Sequence, residues 1–365
     1  MSSKTPTSSV EMVSNIDPNS IIQCAEKFGL CLDGSIEDTM DAIVRLEIER
    51  DVRGLSPMEI MFLRNSRMHS KDSVQHGQSF KPRHDDVFIT TYPKCGTTWV
   101  SQICHCLRSN GDMNFEEIGT VVPWDILALD CNQNLEDEQV ATPRLFKSHE
   151  DWAHVPGGGA KKDAKRGDHE AKYIYVVRNP KDAFVSFFNF LPAYAGLESG
   201  SITMKEFADA IFAGVSQAGG IWRHFLSFWH VRERPNVLIL FFEDLKEDLR
   251  ANVKLIANFM GIQSEKSVDI AVEKSMYSFM RAHATQFDDH FVFDCVKKRM
   301  GLGPKHVFKV GKVRKGGGKV GERKKIPDEV QKMLDMRWSE VLSETMGCEN
   351  YAAFRKSLSK IINKN

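Results

Sequence analysis

The chain has 365 residues, 42% of them hydrophobic, and 49 basic residues balance 49 acidic ones. That apolar content is enough for the core of one large domain or two small ones, and a net charge of zero argues against a nucleic-acid or membrane partner. No stretch approaches 18 consecutive apolar residues and the start, MSSKTPTSSV, lacks an apolar leader core, so a cytoplasmic protein is expected. The eight cysteines are scattered without a C-x-x-C pair, and Cys104-His105-Cys106 is too tight for a zinc pair. Free thiols and no metal are the expectation.

Residues 1–20 are polar and read as a mobile tail. Over 37–52, Met40, Ile43, Val44 and Ile48 recur at helical spacing, and Ser56-Pro57-Met58-Glu59 spells a capping box with Pro at the first helical position. We therefore take residues 1–75 as a tail plus a helical extension that packs on the main domain, with a partner-binding role left open, and 76–365 as that domain. Nothing in the extension carries chemistry on this reading.

From Phe80 onward, short apolar β-prone runs alternate with helical stretches. Val87-Phe88-Ile89, Arg144-Leu145-Phe146, Tyr173-Ile174-Tyr175-Val176-Val177 and the run 237–242 read as strands. Helices are expected after Gly96, where Trp99, Ile103 and Leu107 share one face, from Pro180 to Phe190, and from about Leu245 to Met260. The alternation predicts an α/β fold, a central parallel sheet with helices on both faces. Ligands sit at the carboxyl ends of such strands, where Lys94, Lys147, Arg178 and Glu243 fall. Residues 156–159, PGGG, read as a polar loop. Gly316-Gly317-Gly318-Lys319-Val320-Gly321 spells G-x-G-x-x-G but follows no strand, which argues against a dinucleotide site.

The stretch Thr90-Thr91-Tyr92-Pro93-Lys94-Cys95-Gly96-Thr97-Thr98-Trp99 links the first strand to its helix. Gly96 permits close backbone approach, the helix start offers N–H groups and a positive dipole end, Thr97 and Thr98 add hydroxyls, and Lys94 adds a point charge. Those are the parts of a phosphate cradle. G-x-x-x-x-G-K-[ST] is absent, which counts against a kinase-like phosphotransferase. The string resembles the 5′-phosphosulfate loop of the cytosolic sulfotransferases, Y-P-K-[SA]-G-T-T-W, with Cys95 at the Ser or Ala position.

Three further segments are similar to that family. Phe146-Lys147-Ser148-His149 resembles K-[TS]-H, which implies that His149 is the general base and that Lys147, with Lys94, steadies the transferring group. The family's following Pro is absent, and Glu150-Asp151-Trp152 stands there. Alternation puts Lys147 and His149 on one face, and a group titrating near neutrality suits removal of an acceptor proton. Val177-Arg178-Asn179-Pro180-Lys181-Asp182 with Ser186 resembles the site for the donor's 3′-phosphate, and Arg314-Lys315-Gly316 looks like the R-K-G that also grips it. For the adenine, the resemblance implies stacking on Trp99 and flanking by Ser275 and Tyr277, while Phe242 replaces a family Tyr.

The resemblance thus implies a P-loop-kinase-like sulfotransferase fold using 3′-phosphoadenosine 5′-phosphosulfate (PAPS) and no metal. The acceptor would be a hydroxyl or an amine of a small molecule such as a phenol, alcohol or steroid. A catalytically silent phosphonucleotide-binding regulatory protein is the alternative. The K-x-x-x-T-V-x-x-x-E segment tied to dimer formation in the family is missing, which leaves the oligomeric state open. Acceptor contacts are expected around 122–124, 187–194 and 286–293. A thiol beside a phosphate-binding lysine suggests an acidified, redox-sensitive Cys95.

Overall fold

A computed structural model describes residues 49, 51–159, 171–212, 220–303, 306–308, 311–313 and 322–362. The helix expected over 37–52 lies almost wholly outside these, and Arg314, Lys315 and Gly316 do so entirely. Helix α1 (Pro57–Ser66) starts where the sequence signals it: the Ser56 side chain accepts from Glu59 N–H while the Glu59 carboxylate accepts from Ser56 N–H. A second helix, α2 (Lys71–Ser79), is absent from the sequence reading because its residues are nearly all polar. Ser70 caps it, and Gly77 lets it press against the turn Asp125–Leu127.

Strand β1 (Val87–Thr91) runs into α3 (Thr97–Ser109). Then come β2 (Leu145–Ser148), β3 (Lys172–Val177), α4 (Pro180–Phe188), α5 (Ile221–Trp229) and β4 (Val237–Phe241). The described strands make one parallel sheet in the order β2-β1-β3-β4, with Ile89 beside Lys147 on one side and Ile174 on the other. The stretch expected as one helix from Leu245 to Met260 is two, α6 (Phe242–Glu247) and α7 (Leu249–Met260). Asp248 is the cause: its backbone leaves the helical region and its carboxylate caps α7 through Ala251 N–H. Helices α8 (Glu265–Ser275), α9 (His290–Val296), α10 (Asp328–Trp338) and α11 (Tyr351–Ile362) follow. Among the described residues no helix is long and apolar enough to cross a membrane.

Strand alternation sorts the core into two layers. Val87, Ile89, Leu145, Ile174 and Val176 face α3, α7 and α8, where Ile103 and Leu107 meet them. Phe88, Phe146, Tyr173 and Tyr175 face the other way toward α5, α10 and α11, with Phe88 stacked between Phe146 at 5.1 Å and Tyr173 at 5.7 Å. At the amino ends of β1 and β2, buried Asp86 takes two hydrogen bonds from the Arg144 guanidinium, at 2.8 and 2.7 Å. Chemistry is thereby left to the opposite, carboxyl ends.

The contact of α2 with the turn Asp125–Leu127 is testable. A Cβ at Gly77 would lie 2.6 Å from the Asp125 carbonyl oxygen, a backbone atom that cannot swing away. Gly77→Ala is expected to cost about 1–3 kcal/mol in chemical denaturation, the usual range for an overpacked buried contact.

Candidate functional site

A cavity of about 1340 Å³ opens at the carboxyl ends of β1, β2 and β3. Its floor is the loop after β1. There Lys94 and Gly96 both adopt the left-handed region, at φ 70° and 111°. For Lys94 that is uncommon backbone for a residue with a side chain, of the kind that gathers at functional sites. Gly96 is the N-cap of α3 and no side chain caps that helix, so its first N–H groups are offered to a ligand. Thr98 lines the cavity, and Thr97 is tied by its hydroxyl to Thr91 at 2.5 Å. The Lys94 ammonium lies 3.6 Å from the centre of the Phe190 ring.

Strand β2 delivers the next two groups. Lys147 and His149 reach the same cavity, as their spacing in an extended segment predicts, and both meet Trp124. The Lys147 ammonium sits 3.7 Å from the Trp124 ring centre, and His149 meets that ring edge-on at 4.9 Å. His149 Nδ1 is 2.8 Å from the Thr91 carbonyl oxygen. A carbonyl only accepts, so Nδ1 carries the proton and Nε2 is left as the basic nitrogen. The His149 carbonyl in turn accepts from His224 Nε2, whose Nδ1 takes the Tyr175 hydroxyl proton at 3.0 Å. Burial first, and then Lys147, hold His149 well below its ordinary value, so it is neutral across the physiological range. Burial lowers Lys147 to about 8.

The third group comes from β3 and α4. Asn179 caps α4 through Lys181 N–H, while Arg178 donates to the Lys94 carbonyl at 2.7 Å and lies 4.3 Å from the Phe242 ring centre. That bond ties the end of β3 to the loop after β1. Ser186 faces the cavity two turns into α4. Beside it is a flat slot: the Trp99 indole N–H donates to the Ser275 carbonyl at 2.8 Å, Phe242 meets the indole edge-on at 5.5 Å, and Tyr277, 47% exposed, lines the rim. The Ser275 hydroxyl is fully buried with no hydrogen-bond partner. A buried polar atom left so costs free energy that a ligand's polar edge would recover.

Lys94, Gly96, Thr97, Thr98, Trp99, Lys147, His149, Arg178, Ser186, Ser275 and Tyr277 therefore share one cavity wall. Cys95 does not. Its side chain turns into the core below the loop, and burial pushes its thiol up to about 12, so the acidified, redox-sensitive thiol is overturned. Phe187, Phe190 and Tyr194 line the cavity as expected of 187–194, whereas Phe188 packs on Phe207 instead.

Several lining groups were missed. Asp289 is buried in the left-handed region at φ 76°, and its Oδ1 lies 2.6 Å from Lys312 Nζ and 3.7 Å from Lys147 Nζ. Asp289 falls within the 286–293 stretch expected to meet the acceptor, but its pairing with lysines is not legible there, and Lys312 stands just ahead of the Arg314-Lys315-Gly316 motif and outside it. His69 edges Trp124 at 5.9 Å, and Val74 and Gln75 of α2 line the cavity, so the extension does more than pack. Glu150, next after His149, also lines the cavity, and burial raises it to about 7. Among the described residues no group of three or more His, Cys, Asp and Glu is arranged to hold a metal ion.

The family model for the sulfotransferase domain matches residues 84–359. The chain belongs to the sulfotransferase family. It is 35% identical to the amine sulfotransferase of Oryctolagus cuniculus over 209 residues, 55% of this chain and 65% of that protein, just under two thirds. With sulfotransferase 1E1 of Homo sapiens it shares 33% over 224 residues, 58% and 72% of the two chains. Among solved structures, mouse sulfotransferase SULT7A1 complexed with PAP superposes with a TM-score of 0.55 at 22% identity, covering 82% of this chain and 95% of that one. Retinol dehydratase in complex with androsterone and inactive cofactor PAP gives 0.56 at 20%, covering 74% and 84%. At such identities the two structures establish the fold, a parallel α/β sheet flanked by helices, and nothing finer.

The geometry of the loop after β1 bears directly on stability. A Cβ on Gly96 would stand 2.9 Å from Phe242 Cδ2, on a backbone that disfavours any side chain. Gly96→Ala is expected to lower stability by about 1–3 kcal/mol. A denaturation midpoint equal to the parent's would show that the loop relaxes freely.

Proposed function

We propose that this protein transfers a sulfuryl group from PAPS to a hydroxyl, or an amine, of a small acceptor, with His149 as general base. One observation carries the reading: Lys94, Lys147, Arg178, Ser186 and the uncapped start of α3 converge on the cavity that also holds the basic Nε2 of His149. We assign residues 76–365 to the transferase domain and 1–75 to an extension whose last part reaches the acceptor wall.

Each residue then has a task. The start of α3, Thr97 and Thr98 would take the 5′-phosphate, while Arg178 and Ser186 would take the 3′-phosphate, helped by Arg314, Lys315 and Gly316. Trp99, Phe242 and Tyr277 offer apolar faces to adenine, and the Ser275 hydroxyl offers it a hydrogen bond. The acceptor would lie between Phe187, Phe190 and Tyr194 on one wall and α2 on the other, its reacting oxygen toward His149. In the transfer, Nε2 takes the acceptor proton, the acceptor oxygen bonds to sulfur, and the bond from sulfur to the phosphate oxygen breaks. Adenosine 3′,5′-bisphosphate leaves with the electron pair. Lys94 and Lys147 offset the charge that grows on that oxygen, and in-line positioning supplies most of the remainder.

A labelled-sulfate transfer screen over phenols, sterols and amines tests the reading, with His149→Ala as control. Removing the base is expected to lower turnover by about 10²–10⁴-fold while nucleotide binding persists. Transfer at the parent rate in that variant would refute the assignment. In calorimetry, Arg178→Ala is expected to weaken adenosine 3′,5′-bisphosphate by about 10–100-fold, the worth of a charge-assisted hydrogen-bond pair. A pH profile of kcat/KM for the donor should show no acid limb near 6.5, because His149 stays neutral well below it. It should fall as pH rises through about 8, because a lowered lysine is cationic only below its own value.

A further inference from the structure

Two lysines at the transfer end of the cavity share one carboxylate. Asp289 Oδ1 is 2.6 Å from Lys312 Nζ and 3.7 Å from Lys147 Nζ, and all three residues line the cavity that holds Lys94. Asp289 is 5% exposed and its backbone is left-handed at φ 76°, so the chain bends there to bring the carboxylate in. Lys312 is held from its own side as well, since Arg281 donates to the neighbouring Val313 carbonyl at 2.8 Å. We propose that Asp289 is a positioning residue that sets the ammonium groups of Lys147 and Lys312 side by side, so that three lysines, with Lys94, face the sulfuryl group. The proposal rests on the sulfotransferase reading above for the identity of the anion, but not for the arrangement of the charges.

The electrostatics agree with the geometry. Burial alone would push Asp289 up, yet the ammonium groups of Lys147 and Lys312 hold it well below the usual carboxylate range, so it stays ionised. Glu117, the other acid nearby, is pushed up to about 7 by burial and by Asp289, which makes it the weaker counter-charge. Around Lys147, burial lowers its basicity, Asp289 and Glu117 oppose that, and Lys312 adds to it. Asp125, His149 and His69 also feel Lys147: burial raises Asp125 to about 7 against the pull of Lys147, and burial first, with Lys147 adding to it, lowers both imidazoles. A donor's anion arriving at such a cluster would meet ammonium groups that a shared carboxylate already holds in place, so little has to move.

The test separates charge from fold. In protein labelled at lysine 13Cε, with the Lys147 resonance assigned by Lys147→Arg, the titration of Lys147 is followed by NMR. Asp289→Asn keeps the side chain's shape and tolerates the left-handed backbone. It is expected to move the Lys147 midpoint down by about one pH unit or more, whereas Lys312→Met is expected to move it up. Opposite shifts are not what a general loosening of the site produces. Midpoints that stay put, or move together, would overturn the positioning role, and Lys312→Met alone decides the matter if Asp289→Asn does not fold. By calorimetry, Lys312→Met should weaken PAPS about tenfold and adenosine 3′,5′-bisphosphate, which lacks the sulfuryl group, far less. Equal loss for both would remove Lys312 from the sulfuryl site. If the parent protein binds neither nucleotide, the sulfotransferase reading fails while the NMR arm still decides what Asp289 does.

Discussion

A lysine ammonium nine-tenths buried is the constraint on which the site depends. Taking such a charge out of water costs several kcal/mol unless something answers it. Around Lys147 three things do: the face of Trp124, the carboxylate of Asp289, and the open side of the cavity where an anion can enter. The first two do not fully offset burial, which is why the ammonium is less basic than a surface lysine. The shortfall is the useful part. An anion arriving in the cavity completes a charge balance that the fold has left incomplete, and it does so where water is scarce and the interaction strong.

The same economy governs His149. Its ring is pinned by the Thr91 carbonyl on one nitrogen and by Trp124 on its edge, and its main chain is held by the Tyr175–His224 pair beneath the sheet. Pinning selects the tautomer, and the nearby Lys147 together with burial keeps the ring neutral. A base and a cation two residues apart thus support opposite protonation states, the arrangement a proton acceptor beside an oxyanion binder requires. Strand alternation makes this possible, because only side chains two apart on an extended segment share a face at close range.

The Arg178–Lys94 bond joins the carboxyl ends of β1 and β3, so the two loops proposed to hold the donor's phosphates are carried on one sheet. The rest of the cavity, where the acceptor is proposed to lie, is assembled from pieces that share no sheet: Trp124 and its turn, the short helix Leu191–Tyr194, and α2. Loops and short helices vary in sequence without disturbing strand registers, which suits a wall whose guest differs among relatives of one fold.

How much was legible follows from the range of each interaction. Alternating strands, the capping box at Ser56, the glycine-bearing loop and the residues at strand ends are set by neighbours in sequence, and they could be read from the letters. The positions of Lys94, Lys147, His149 and Arg178 at the carboxyl ends of strands are of that kind. Only tertiary structure could decide that the Cys95 thiol turns inward, because its neighbours in the chain are the same whichever way it points. The same holds for Asp289 meeting Lys147 from 142 positions away, and for a polar helix, α2, closing the cavity through a contact at Gly77. The letters alone set the parallel sheet and the loops at its carboxyl edge, since periodicity and turn chemistry are local. The company each buried charge keeps depends on contacts between distant segments, and no local pattern records those.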